Sequence, residues 1–222
     1  MYNMVNCQSV RNKTAELATV IDTYKPDILA GTESWLNENI SSSEIFPDSY
    51  IVHRKDRQTG PGGGVFQANR DDLIVTHRTD LDTDCEIIWT QTQLAGKKPL
   101  MIGTYYRPPS DQGSSLDELD SSINKMGTKI NSDNVIIFGD FNTPGINWDV
   151  STTDNAQNHT GQAQKLLHLV DNHGLFQTVQ EPTRNGNILD LVLVNNPNII
   201  EKTTVVPGIS DHDIENTGRL TC

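Results

Sequence analysis

The octapeptide Val135-Ile136-Ile137-Phe138-Gly139-Asp140-Phe141-Asn142 reads as a buried strand that ends on two polar side chains. Residues two apart in a strand point to the same side, so Asp140 and Asn142 would stand together at its C-terminal edge. A carboxylate and an amide held this way can take a proton from a water and hydrogen-bond a phosphoryl oxygen. An Asx turn closing the strand is the competing reading. A second strand end, Asp27-Ile28-Leu29-Ala30-Gly31-Thr32-Glu33, carries Glu33, which by itself reads as a solvated loop acid or a helix N-terminal charge. Near the C-terminus, Ser210-Asp211-His212-Asp213 sets carboxylates beside an imidazole after a turn-forming Pro207-Gly208. Asp190 sits inside the apolar run Ile188 to Val194, where an acid is costly to bury unless paired, and His212 is the expected partner. The histidines at 53, 77, 159, 168 and 173 have no such setting and are expected at the surface or the core edge.

Short strand-like runs dominate the elements available to position these groups: Tyr2 to Asn6, Asp27 to Ala30, Tyr50 to Arg54, Gly64 to Ala68, Leu73 to His77, Glu86 to Leu94, Leu100 to Tyr106, Val135 to Gly139, Ile188 to Val194 and Thr203 to Val206. Helical spacing of apolar residues predicts helices over Lys13 to Thr23, Leu116 to Ile130 and Gln162 to His173, the last ending at Gly174. Many strands with few helices do not make an alternating βαβ barrel. They favour two packed sheets with helices on the outer faces, an α+β sandwich. Gly60-Pro61-Gly62-Gly63-Gly64 lacks the Lys-Ser/Thr and the helix that a phosphate-binding P-loop needs, so it reads as a hairpin connection. The polar stretch Asp149 to Gln162 reads as a surface loop, and Trp35, Trp89 and Trp148 read as core residues.

With 222 residues, no internal repeat and no linker dividing two compositions, a single domain over 1–222 is expected. The hydrophobic set is 35% and the charged set 21%, a composition able to form a core. The aliphatic runs are far shorter than the ~20 residues a membrane helix needs. The net charge is −12, and the excess lies in the second half, where 6 Lys/Arg face 15 Asp/Glu; this argues against a general electrostatic grip on nucleic acid. Cys7, Cys85 and Cys222 match no zinc or redox spacing and read as reduced thiols, so an intracellular setting is expected.

Seven segments in order carry a resemblance. They are Val5-Asn6 with Ser9 to Lys13; Thr32-Glu33-Ser34-Trp35-Leu36; Arg54-Lys55-Asp56-Arg57 leading to Gly62-Gly63-Gly64-Val65; and Tyr105-Tyr106-Arg107-Pro108-Pro109. Then come Gly139-Asp140-Phe141-Asn142 running to Ile146-Asn147-Trp148, Pro182-Thr183-Arg184 with Asn187 to Leu193, and Gly208 to Asp213. Over nearly its whole length the chain resembles the endonuclease/exonuclease/phosphatase superfamily, with its DNase I-like fold, and in particular the endonuclease domains of non-LTR (LINE-type) retrotransposons.

That resemblance implies a four-layer α/β/β/α sandwich of two mixed sheets. It also implies a divalent cation, Mg²⁺ with Mn²⁺ as the alternative, bound by Glu33 with Asn6 and Asp211 nearby. Asp140 would deprotonate the attacking water, Asn142 and Tyr106 would hold phosphate oxygens, and Asp190 would fix the tautomer of His212. Arg11, Arg54, Arg57 and Arg107 would supply phosphate contacts to duplex DNA. The implied reaction is a nick leaving a 3′-hydroxyl, primer for a reverse transcriptase domain of the same element, in the nucleus. The rival readings are a phosphatase or phosphodiesterase of the same fold acting on a small or lipid substrate, and an inactive domesticated copy that only binds. After Asp213 the family continues with a hydrophobic strand that closes one sheet; Ile214-Glu215-Asn216-Thr217 is polar, so a chain truncated at that strand is expected.

Overall fold

The computed structural model describes residues 1–153 and 160–218. In chain order, β1 (Tyr2–Asn6) leads through a short 3-10 turn to α1 (Thr14–Tyr24), then β2 (Ile28–Thr32), β3 (Tyr50–Lys55), β4 (Val65–Arg70), β5 (Val75–His77), β6 (Glu86–Thr92) and β7 (Leu100–Tyr106). Next come α2 (Ser114–Asn124), the short α3 (Lys129–Ser132), β8 (Asn134–Asp140), and the two-residue strands β9 (Ile146–Asn147) and β10 (Thr152–Thr153). The chain closes with α4 (Thr160–Asn172), β11 (Phe176–Gln177), β12 (Asp190–Val194), β13 (Thr203–Val206) and β14 (Ile214–Thr217). All ten expected strands form. The expected second helix breaks near Gly127, whose φ is +56°, into α2 and α3. Part of the expected loop 149–162 pairs as β10, and residues 154–159 lie outside the described residues.

Two six-stranded mixed sheets result, one ordered β13-β14-β1-β2-β4-β3 and the other β11-β12-β8-β7-β6-β5. Alternation along the strands sorts the side chains. Tyr2, Met4, Ile28 and Ala30 of the first sheet meet Leu100, Ile102, Ile136, Phe138, Val192 and Val194 of the second in the central layer. The intervening residues face outward. Val5, Leu29 and Phe66 pack on Leu17, Val20 and Ile21 of α1. Trp89, Met101, Val135, Ile137 and Leu191 pack on Leu116, Leu119 and Ile123 of α2 and Leu166 and Leu169 of α4. The fold is therefore the α/β/β/α sandwich, with helices on both outer faces.

A strand forms in the first sheet where the polar sequence after Asp213 predicts none. Ile214 to Thr217 pairs antiparallel with both β1 and β13, so β1 is an interior strand. Its polar composition hid it. Ile214 packs toward α1, while Glu215 and Thr217 point into the gap between the sheets and are fully buried there. The Gly60–Gly64 run connects the antiparallel pair β3 and β4, as a hairpin should.

A candidate active site at the rim of the two sheets

One row of residues runs across the second sheet at its edge: Glu86 pairs with Tyr106, Tyr106 with Asp140, and Asp140 with Asp190. Tyr106, Asp140 and Asp190 all continue the inward-facing register of their strands, so they point into the gap between the sheets. A side chain at Gly139 would stand 2.2 Å from the Tyr105 carbonyl, so only glycine allows β8 to approach β7 this closely and set Asp140 level with Tyr106. From the first sheet, Asn6 at the end of β1 donates through Nδ2 to Asp140 Oδ2 (2.8 Å) and, at 3.4 Å, to Glu33 Oε1. Asp140 Oδ1 accepts from the backbone N–H of Asn142 (3.0 Å).

His212 enters from the loop before β14. Its Nδ1 lies 2.7 Å from Asp190 Oδ2, and its Nε2 is buried, without a hydrogen-bond partner, 3.9 Å from Asp140 Oδ2. Thr183 locks the acid. Its hydroxyl donates to Asp190 Oδ2 (2.8 Å) and accepts from the N–H groups of Leu189 and Asp190 at 3.1 Å each. With the acid so held, the tautomer with the proton on Nδ1 is favoured. Ser210 pins the loop, donating to the Asn6 carbonyl (2.7 Å) and accepting from the His212 N–H (3.1 Å). Sequence reasoning missed Thr183 and Ser210 as positioning groups, although both lie in the segments that carried the resemblance.

The electrostatics follow from burial. Burial, and then the charge of Asp190, push the Asp140 carboxyl well above the ordinary carboxylate range; His212 and the Asn142 N–H pull it down. For His212, burial works to lower the pKa, but the hydrogen bond to Asp190 and the negative charge of Asp190 and Asp140 reverse it, so the imidazole lies above its usual 6.5. Tyr106 is pushed up, first by burial and then by Glu33 and Asp140. Both shifts run toward proton binding, and the two groups face each other across a gap.

Asp140, Asp190 and His212 each present a ligand atom within 4.8 Å of the others. Asn6 links that cluster to Glu33, and Asp190 Oδ1 is buried without a partner. The two carboxylates and the imidazole of this cluster, with an orphaned buried oxygen and a third carboxylate, Glu33, reached through Asn6, make an oxygen-rich donor set that fits a divalent cation.

Glu33 itself is held under strain. Glu33 and Trp35 have φ of +51° and +53°, which costs non-glycine residues roughly 1–2 kcal/mol each. The glycine run compensates. The N–H groups of Ser34 and Trp35 donate to the Gly64 and Gly63 carbonyls (3.2 and 2.9 Å), and a side chain at Gly63 would meet the Arg57 guanidinium at 2.3 Å.

Several expectations are corrected. Asp211 is exposed, ion-paired with Arg184 at 2.6 Å, and outside the buried cluster. Arg107 is 1% exposed; it bridges Asp111 (3.0 Å) to the Phe141 and Asn142 carbonyls, so it is a structural clamp unable to reach phosphate. Asn142 spends one amide hydrogen on the Arg107 carbonyl (2.9 Å) but stays at the site. Arg57 is held by Glu86, which also accepts from the Gly64 N–H, and lies over the Tyr106 ring at 5.6 Å, a wall of the site rather than a free cation. Arg54 pairs with Asp56 (3.2 Å). Arg11 is exposed, with no ion pair among the described residues. Trp89 is core, Trp148 is half-buried, and Trp35 is 43% exposed rather than core.

A family model described as endonuclease-reverse transcriptase matches residues 100–214, just over half of the chain. The chain belongs to this family. The endonuclease-reverse transcriptase match spans β7 to the start of β14 and so takes in Tyr106, Asp140, Asn142, Asp190 and His212. A search of curated proteins finds no match. Among solved structures, the chain is similar to the endonuclease domain of TRAS1, a telomere-specific non-LTR retrotransposon, with TM-score 0.78, 20% identity, and 99% of this chain and 97% of that one covered. It is similar to the AP endonuclease LMAP from Leishmania major (TM-score 0.78, 12% identity, 100% and 87% covered). It is also similar to an AP endonuclease from Archaeoglobus fulgidus (TM-score 0.73, 16% identity, 98% of each chain covered). At these identities the likeness establishes the DNase I-like fold.

Proposed function

We propose that the protein is a divalent-metal-dependent endonuclease that nicks duplex DNA by hydrolysing a phosphodiester and leaves a 3′-hydroxyl, the end that a linked reverse transcriptase would extend. A chromosomal target would put its action in the nucleus. The observation that carries this reading is the buried constellation in which Asp140 Oδ2 faces the unpartnered His212 Nε2 at 3.9 Å. A water hydrogen-bonded to Asp140 and a phosphoryl oxygen hydrogen-bonded to His212 Nε2 would lie side by side against this pair.

Glu33, with Asn6 beside it, would hold Mg²⁺ or Mn²⁺. When bound, the cation supplies charge neutralisation at the phosphate and at the departing 3′ oxygen. The protein's own groups do the rest. Asp140, fixed by Asn6 and the Asn142 N–H, takes the proton of the attacking water. His212, charged and oriented by Asp190, stabilises the negative oxygens of the transition state. Tyr106 and Asn142 border the same space and would bind the remaining oxygens.

Incubation with supercoiled plasmid in Mg²⁺ should give relaxed circles whose nicks a DNA polymerase can extend. Activity that persists in EDTA or in Asp140→Ala would overturn the reading. Release of phosphate from small monoesters in place of nicking would favour the phosphatase alternative.

A further inference from the structure

Trp35 is an exposed aromatic beside the site with no structural task that its exposed face serves. Trp35 is 43% exposed, although the neighbouring Ser34 and Leu36 are buried. The ring is nonetheless fixed. Its Nε1 donates to Glu33 Oε2 (3.2 Å), its backbone N–H to the Gly63 carbonyl (2.9 Å), and Gly62 packs so closely that an added Cβ would lie 3.3 Å from Nε1. Its left-handed backbone, at φ +53°, means that the chain accepts strain to present a large apolar face to solvent. An unbroken hydrogen-bonded path, Trp35 to Glu33 to Asn6 to Asp140, ties the ring to the reacting centre.

We infer that the exposed face of Trp35 packs against the deoxyribose and base of a nucleotide flanking the scissile phosphate, acting as a substrate-binding and context-selecting residue. This rests on the proposed endonuclease reading. A π-face stacks on any base, so it adds affinity without strict sequence readout, and it favours steps that unstack easily. That contribution matters in a chain of net charge −12 whose Arg57 and Arg107 are committed internally. The locked indole cannot swing away, so the stacked nucleotide is held at a fixed offset from Glu33.

The test uses the full chain and a fluorescein-labelled 20-base-pair duplex, with anisotropy read in EDTA so that binding is separated from cutting. Trp35→Ala should weaken binding about 5- to 50-fold and raise KM for nicking in Mg²⁺ by a similar factor, whereas Trp35→Phe, which keeps a ring, should bind within about threefold of wild type. Unlabelled duplex should quench tryptophan emission of the wild type, and Trp35→Phe should lose most of that quench while still binding. A merely structural role would leave no such signature. Wild-type nicking together with unchanged binding by Trp35→Ala, or an undiminished quench in Trp35→Phe, would overturn the inference while leaving the endonuclease reading intact. A wild type that neither binds nor nicks the duplex would remove both.

Discussion

Replacing Glu215 by Gln should make the protein more stable, and by an amount that depends on pH. Glu215 lies on β14 opposite Met4, fully buried in the central layer, and both carboxyl oxygens lack a hydrogen-bond partner. Burial, followed by the charge of Asp190, raises its pKa well above the ordinary 4.5. Folding therefore raises the affinity of this carboxyl for its proton above that in the unfolded chain, where it titrates near 4.5. A raised folded-state pKa means that its contribution is fully present below about 4.5 and is lost as pH rises toward the folded value. Above about 4.5 each further pH unit, up to the folded value, takes about 1.4 kcal/mol from the folded state, so the penalty is larger at pH 7 than at pH 5. Glu215→Gln keeps the shape and removes the titration. Its gain should grow with pH in the same way, so the Tm advantage over the wild type should be larger at pH 7 than at pH 5, at roughly 2–4 °C for each kcal/mol gained in a chain of this size. Thermal melts and urea titrations at both pH values measure it. Equal Tm values at pH 7, or a gap that does not shrink at pH 5, would refute the reasoning.

Asp190→Asn and His212→Ala act on one hydrogen-bonded unit, so the double variant should nick only marginally more slowly than His212→Ala alone; multiplicative losses would show that the two act separately. Because the His212 pKa is raised, its cation persists above pH 6.5 and nicking should decline only as pH climbs past that raised value; Asp190→Asn should move this alkaline limb to lower pH in a pH–rate profile. Arg107→Ala should cost about 3–5 kcal/mol of stability in urea titrations by stranding Asp111 and two carbonyls, and a folded, fully stable variant with weaker DNA binding would contradict the clamp assignment. Arg11→Ala should lower the slope of log binding constant against log salt by about 1 while leaving stability unchanged, as a solvent-exposed phosphate contact would.

The parts legible in the sequence are those where one periodicity dominates. Val135 to Phe138 and Leu191 to Val194 are apolar on both faces because each lies between a central layer and a helical layer, and that pattern survives without any partner in view. Asp190 and His212 are legible as a pair because an acid in an apolar strand demands a partner, and they meet at 2.7 Å. β14 was hidden because its inward positions carry Glu215 and Thr217, which read as solvent-facing until β13 and β1 flank them. Arg107 misled for the opposite reason: a cation after two tyrosines resembles a surface contact, and only the turn to Asp111 shows it folded inward. Residue type alone puts Trp35 in the core, but the left-handed backbone at positions 33 and 35 accompanies its exposed placement, and no local periodicity reports such a turn.

The interior place of β1 has a consequence for when the site comes into being. Asn6 is synthesised 204 positions before Ser210, for which its carbonyl waits, and one edge of its strand stays open until β14 arrives. At ordinary synthesis rates of about 5–20 residues per second, that interval is on the order of 10–40 seconds, during which β1 offers an unpaired edge to whatever strand is near. No partial catalytic assembly precedes it, because Asp140 and Asp190 lack His212 until the same segment docks. The proposed cutting site therefore becomes complete only when the segment carrying His212 docks, and until then the edge of β1 is exposed to mispairing.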